Sequence, residues 1–249
     1  MKDQLSVLAF GAHPDDLEYQ IGGTLAKYAK LGARVTMAVV TNGDVGSSTM
    51  PMEEIAEVRR QEALAAAGLI GADLIWIGYH DEFFFHNEES RRRLIDVMRQ
   101  ARPDVVFCHW TDDYHPDHSF SGQAVRDARI MTAVPNIVTD HPPLARIPEL
   151  FFYDTLAGIN FAPEVYVDIT DTFSTKQQML ACHVSQNQWI QDIFQANLTD
   201  LMEVQTRFRG LQAGKRHAEG FRALETWPRA ADFSKLPLGY SAAAHPAVL

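Results

Sequence analysis

The feature that most constrains this chain is an apolar run, Ser6 to Phe10, that stops at Gly11 and passes into His13, Pro14, Asp15 and Asp16. The run lacks period-two alternation, so it reads as a short strand buried on both faces of a parallel sheet. Pro14 suits a first helical turn, and Asp15, Asp16 and Glu18 would lie near the positive end of a helix dipole. A strand that runs into a polar turn at a helix start is where open parallel sheets place their ligands. Phosphate-binding turns at this position need glycines, and there are none between His13 and Glu18. The turn offers instead a nitrogen ligand, a hard oxygen ligand and a spare carboxylate, the chemistry of a metal site with its own base. The same residues also suit a helix cap beside a packed imidazole, and this motif alone leaves both readings open.

A second turn of the same kind follows further on. Helical patterns cover Gly22 to Leu31, closed by Gly32, and Glu53 to Leu69. Strand patterns cover Val35 to Val40 and Leu74 to Ile77. Thr41 to Met52 is rich in Gly, Ser and Thr and reads as a loop after the second strand, either a substrate lid or a disordered connection. After a charged helix from about Glu89 to Ala101, Asp104 to Cys108 forms a fourth strand that runs into HWTDDYHPDH. Strands alternating with helices imply right-handed crossovers and a mainly parallel sheet. The expected fold is α/β, a Rossmann-like three-layer arrangement with helices on both faces, and both polar turns open on one sheet edge. His115 and His118 then stand three residues apart with Asp117 between them, facing His13. Two such turns at one edge, in a chain with 10 His, point to a metal site.

Beyond Phe120 a helix is expected to about Met131, then a proline-rich stretch from Pro135 to Pro148. Strands follow at Leu150 to Tyr153 and Val165 to Ile169, helices at Phe173 to Ala181 and Trp189 to Gly210, and a frayed tail from Leu236. His109 ends a strand next to the site and is a candidate support for it. The remaining histidines carry no comparable pairing. Three consecutive aromatics, Phe83 to Phe85, suit either core plugging, which their burial energy favours, or a pocket wall.

With 249 residues and 46% hydrophobic content, one α/β domain spanning 1–249 suffices. Cys108 and Cys182 are too few for a disulfide framework, and the first residues lack a basic and apolar leader, so a cytoplasmic location is expected. No apolar run approaches the roughly 18 to 20 residues that span a bilayer. The net charge of -10 argues against nucleic acid as the main partner, although Arg59, Arg60 and Arg91 to Arg93 suit a local basic pocket. Symmetric association into a homo-oligomer is common enough to expect.

Taken together, AHPDD at Ala12 to Asp16, GGTLA at Gly22 to Ala26 and HPDH at His115 to His118 resemble the LmbE-like, or PIG-L, zinc-dependent N-deacetylases of N-acetylglucosamine derivatives. Weaker matches follow in order: TNGDVG from Thr41, RRQEALAAAG from Arg59, RPDVV from Arg102, VDIT from Val167, HVSQ from His183 and AEGF from Ala218. The resemblance implies His13, Asp16 and His118 as metal ligands and Asp15 as general base. It implies that His115 stabilises charge or protonates the leaving amine, with Asp117 orienting it. Arg59 matches a position that looks like part of the sugar-binding wall, or else is a helix-surface arginine. Tyr114 either donates to the substrate carbonyl or is only a neighbour. The implied cofactor is Zn2+, with Fe2+, Co2+ or Mn2+ accepted by the same donors, and the implied partner is a small amino sugar conjugate. GYHDEFFF, from Gly78 to Phe85, departs from the tight proline turn common in the family, which leaves the aglycone undefined.

Two other classes compete. A non-haem iron oxygenase also uses two His and one carboxylate, but it has no need of the spare base at Asp15. A metal-stabilised binding protein without catalysis would be expected to lack that base or the second imidazole, and Asp15 and His115 are both present.

Overall fold

The computed structural model describes residues 4–227, 231–237 and 239–241. Its first half alternates strictly: β1 (Ser6–Gly11), α1 (Asp16–Lys30), β2 (Arg34–Thr41), α2 (Met52–Gly68), β3 (Asp73–Tyr79), α3 (Glu88–Ala101), β4 (Val105–His109), α4 (Pro116–Arg129) and β5 (Glu149–Tyr153). The second half holds β6 (Val165–Asp168), α5 (Phe173–Ala181), α6 (Val184–Phe194), α7 (Leu198–Ala213), β7 (Ala218–Ala223) and β8 (Gly239–Ser241).

The strands form one sheet in the order β3-β2-β1-β4-β5-β7-β6-β8. The first five run parallel, and β7 and β8 enter antiparallel. Alternate residues of β1 feed two cores. Val7 and Ala9 pack with Leu17, Ile21 and Leu25 of α1 and Ala66 and Ala67 of α2, whereas Leu8 and Phe10 pack with Leu94, Ile95 and Met98 of α3 and Val125 of α4. Each fully buried side chain of this kind is worth about 1.5–3 kcal/mol, so helices are held on both faces. Because α1 and α2 cross on one face and α3 and α4 on the other, the strand order reverses between β1 and β4. That switch point is where an open parallel sheet leaves a crevice.

Several boundaries differ from expectation. Helix α4 begins at Pro116, not beyond Phe120, because His115 caps it and Pro116 occupies its first turn. The expected Trp189 to Gly210 helix is two helices: Gln195 closes α6 at φ 53, and Asn197 caps α7 by accepting from the N–H groups of Thr199 and Asp200. Ala218–Ala223 is a strand. Leu236 is buried in the core and Gly239–Ser241 pairs with β6, so the tail is ordered to that point. His245 and residues 242–249 lie outside the described residues. Of the three aromatics, Phe84 plugs the core at 1% exposure, while Phe83 and Phe85 stand at 63% and 57%. Among the described residues no helix is long and apolar enough to cross a membrane.

Candidate metal centre

The two polar turns meet at the switch point. Close packing of α4 on β4 brings them together: a Cβ at Gly122 would lie 2.4 Å from the His109 carbonyl oxygen, so only glycine allows this approach. His13 Nδ1 lies 3.2 Å from His118 Nε2, which lies 3.3 Å from Asp16 Oδ1. His13 Nδ1 is 3.5 Å from the other Asp16 oxygen, Oδ2. Donors about 2.0–2.1 Å from a tetrahedral ion stand about 3.3–3.4 Å apart, close to the separations of the two imidazoles from each other and from the Asp16 carboxylate, so the three residues could share one cation.

Carboxylates fix the outer nitrogens. His13 Nε2 faces Asp81 Oδ1 at 3.0 Å and Asp117 Oδ2 at 3.3 Å, and His118 Nδ1 faces Asp113 Oδ2 at 3.1 Å. A carboxylate accepts, so each outer nitrogen carries a proton, and the inner nitrogens are left to face each other and Asp16. Two imidazole nitrogens and a carboxylate thus converge on one point, where a cation would take the place of an inner proton. Burial alone would lower the pKa of His118, yet Asp16 and Asp113 outweigh it and push it up to about 9. The same negative field attracts a metal ion. Asp16 is anchored from behind, where its Oδ2 accepts the His13 backbone N–H at 2.6 Å and meets His109 Nε2 at 3.0 Å. His109 thus supports the site, as its place after β4 suggests.

Asp15 stands at the N-cap position of α1, but its carboxylate is not spent on capping. Its side chain makes no capping hydrogen bond, and its backbone is left-handed at φ 116. Its carboxylate instead lies 3.5 Å from the Arg59 guanidinium. Burial pushes the Asp15 carboxyl up to about 7 against the pull of Arg59, with Asp16 adding to the rise. A carboxylate tuned near neutrality and adjacent to a metal cluster has the properties of a general base.

Arg59 is 2% exposed, so it is not a surface residue. Its guanidinium also donates to the carbonyls of Gly43 and Pro14, at 3.1 and 3.0 Å. Gly43, at φ 66, has no side chain where the guanidinium passes; a Cβ there would lie 2.5 Å from it. The start of the Thr41 to Met52 loop is thereby tied to the site. Asp44 ties it again, accepting the Asp81 N–H at 3.1 Å and contacting His80 at 2.5 Å.

His115 stacks on His118 at 4.6 Å between ring centroids and meets His13 edge-on at 4.8 Å. Its Nδ1 accepts the Asp117 backbone N–H, which leaves the proton on Nε2, 3.3 Å from Glu82 Oε1. Burial, with His13 and His118 nearby, holds its pKa down to about 4. The carboxylate beside the His115 ring therefore belongs to Glu82, whereas the Asp117 carboxylate faces His13 and accepts the Glu82 N–H at 2.8 Å. Tyr114 is 56% exposed, its ring 6.2 Å from that of His115. Asp81, Glu82 and Asp113 escaped the sequence reading. Asp113 lies within the second polar turn, but Asp81 and Glu82 follow β3, and only the sheet order carries that loop to β1.

An α/β sheet with a two-imidazole, one-carboxylate cluster and an adjacent base at its switch point defines a metal-centred enzyme that acts with water. More particularly, the chain carries a PIG-L (LmbE-like) family domain: the family model described as GlcNAc-PI de-N-acetylase matches residues 8–129. The chain is 28% identical over 235 residues to the diacetylchitobiose deacetylase of Thermococcus kodakarensis, covering 88% of this chain and 83% of that one. It superposes on an N,N'-diacetylchitobiose deacetylase structure from Pyrococcus horikoshii with a TM-score of 0.79 at 28% identity, over 90% of this chain and 85% of that one. It is also 26% identical over 193 residues to a 4-oxalmesaconate hydratase of Pseudomonas putida, 74% of each chain.

Proposed function

We propose that this chain is a metal-dependent hydrolase that removes the N-acetyl group from an N-acetylglucosamine-type conjugate. The observation that carries the reading is the convergence of two inward imidazole nitrogens and the Asp16 carboxylate, with the Asp15 carboxylate beside them held only by Arg59. His13, Asp16 and His118 would hold the ion, with zinc favoured by two imidazoles and one carboxylate. When bound, the ion supplies a Lewis acid that acidifies water and polarises the amide carbonyl. Asp15 takes the proton as water attacks the amide carbon, and Arg59 keeps its carboxylate aimed. His115, with its Nε2 proton held toward Glu82, donates a hydrogen bond to the developing oxyanion, and the proton that Asp15 took from water passes to the departing amine as acetate leaves. Tyr114 borders the path by which the substrate enters.

The hydratase relative makes addition of water to a carbon–carbon double bond the second reading. A polycarboxylate substrate of that kind calls for free cations, yet the Arg59 terminal nitrogens are held by the Gly43 and Pro14 carbonyls and Asp15, and Asp81, Asp113, Asp117 and Glu82 surround the histidines. That acidic lining favours a neutral amide. The test supplies zinc or iron to metal-stripped protein and measures acetate release from a panel of N-acetylglucosamine conjugates, with 4-oxalmesaconate in parallel. Metal-dependent acetate release is expected. Consumption of 4-oxalmesaconate without acetate release from any conjugate would replace the hydrolase reading with the hydratase one.

A further inference from the structure

Beside the metal centre lies an apolar cavity of about 450 Å3, walled by Tyr19, Tyr114, Leu156, Ile190, Phe194 and Val204. Tyr114 connects the two: its ring borders the cavity and also stands 6.2 Å from the His115 ring. Tyr19 follows the metal-binding turn on α1. The volume falls in the range of small-molecule sites.

Two long polar side chains of the wall, Gln205 and Arg209, are engaged with the protein, and Tyr19 and Tyr114 add only their hydroxyls. Gln205 donates to Gln20 and to the Thr155 carbonyl and accepts the Ala157 N–H. Arg209 is bidentate to Asp154, at 2.6 and 2.9 Å, and donates to Gln212. Neither has charge or hydrogen-bonding capacity to spare for a polar guest. The rim, meanwhile, leaves large apolar side chains in water: Phe194 at 67%, Val204 at 68%, Phe208 at 52% and Leu201 at 45%. A grouped patch of this kind marks a binding surface more often than a bare face.

We infer that this cavity receives an apolar alkyl or aryl group of the substrate, so that preferred substrates are N-acylated amino sugars carrying such a group. The inference rests on the amide-hydrolase reading. Its occupant is part of the molecule being cleaved, because the cavity begins one aromatic ring from His115 and its wall is mainly apolar. The apolar group has two sources, the aglycone or the acyl chain itself.

The experiment compares two series on the zinc-loaded enzyme. One is N-acetylglucosamine glycosides from methyl to octyl; the other is methyl glucosaminides N-acylated from acetyl to octanoyl. Within one series kcat/KM is expected to rise roughly two- to fourfold per methylene until the cavity fills, chiefly through KM, and the series that rises identifies the source. Val204→Asp and Leu201→Asp, at exposed positions of α7, are each expected to flatten the octyl-to-methyl ratio measured within the same variant. Turnover of the methyl compounds with no length dependence in either series would overturn the cavity's role and leave the hydrolase reading intact. A flat series together with self-association that Val204→Asp abolishes would assign the face to a second copy of the chain. If no compound turns over, the hydrolase reading fails, and calorimetric binding of the octyl and methyl glycosides decides the cavity: equal affinity overturns it.

Discussion

At Asp15 the backbone takes a left-handed conformation that costs an L-residue on the order of 1–3 kcal/mol, and its carboxylate is buried beside Asp16. The geometry that makes it available as a base also destabilises the fold. Asp15→Asn should keep stoichiometric metal, read by elemental analysis, while turnover falls by roughly 10^2–10^4. Asp15→Gly relieves both the strained φ and the buried acid, so its melting temperature should rise above that of the parent while activity is lost. An unchanged rate in either variant would remove Asp15 from the reaction. The cluster of His13, Asp16 and His118 was legible at this scale because imidazole and carboxylate at fixed spacing carry chemistry in their identity. Arg59 was less so, although α2 did signal its burial. Ile55, Arg59, Ala63 and Ala67 recur every fourth residue on the buried face, which makes the guanidinium an inward-facing group. Asp81 and Glu82 carried no such mark, because a carboxylate in a loop looks the same whether it meets solvent or an imidazole.

Among the elements, α3 is the one on which the proline-rich stretch depends. Arg99, 1% exposed, donates to the carbonyls of Thr132, Val134 and Ile137 at 3.0, 2.8 and 2.7 Å. Arg99→Met should leave these acceptors unpaired at about 1–3 kcal/mol for each that stays buried and lower the melting temperature by several degrees. Arg99→Lys should not restore it, because an ammonium lacks the guanidinium fork. From the same helix Asp96 accepts the His141 backbone N–H at 2.9 Å and meets the His141 ring at 3.1 Å. Burial alone would raise the Asp96 carboxyl, but these partners hold it below the usual range. The depressed folded-state pKa makes its contribution complete above the unfolded value near 4, and that contribution is lost as pH falls through the folded value. The gap in melting temperature between the parent and Asp96→Asn should therefore be open at pH 7 and narrow progressively as pH falls below about 4. A constant gap across that range would show that Asp96 acts by packing alone. The start of α4 was misplaced because HPDH was read as loop chemistry, although Pro116 was also a first-turn signal. The break between α6 and α7 needed Gln195 in a left-handed cap, which a residue other than glycine does not announce.

For the molecule as a whole, the parallel half was legible because apolar strands fed polar turns at regular intervals, and the strand order of the sheet turns that repetition into a crevice. In the antiparallel half β6 and α5 were legible, but β7 and β8 were not. AEGFRA in β7 is short, mixed in polarity and committed to Glu219, which accepts the N–H groups of Gly23 and Thr24 inside α1. Chelation should abolish turnover and lower the melting temperature, and zinc should restore both, since a ligand at about 1,000 times its Kd adds about 4 kcal/mol to the folded state. An unaltered melt after complete metal removal would show that the cluster holds no structural ion. His13 and His118 are separated by 105 positions in the chain yet follow adjacent strands, β1 and β4. Neither half-site can gather three donors until that long loop has closed, the slow part of assembling such a topology. The ion therefore arrives after the rate-limiting search, so zinc should slow unfolding in a chevron experiment and leave the refolding limb unmoved.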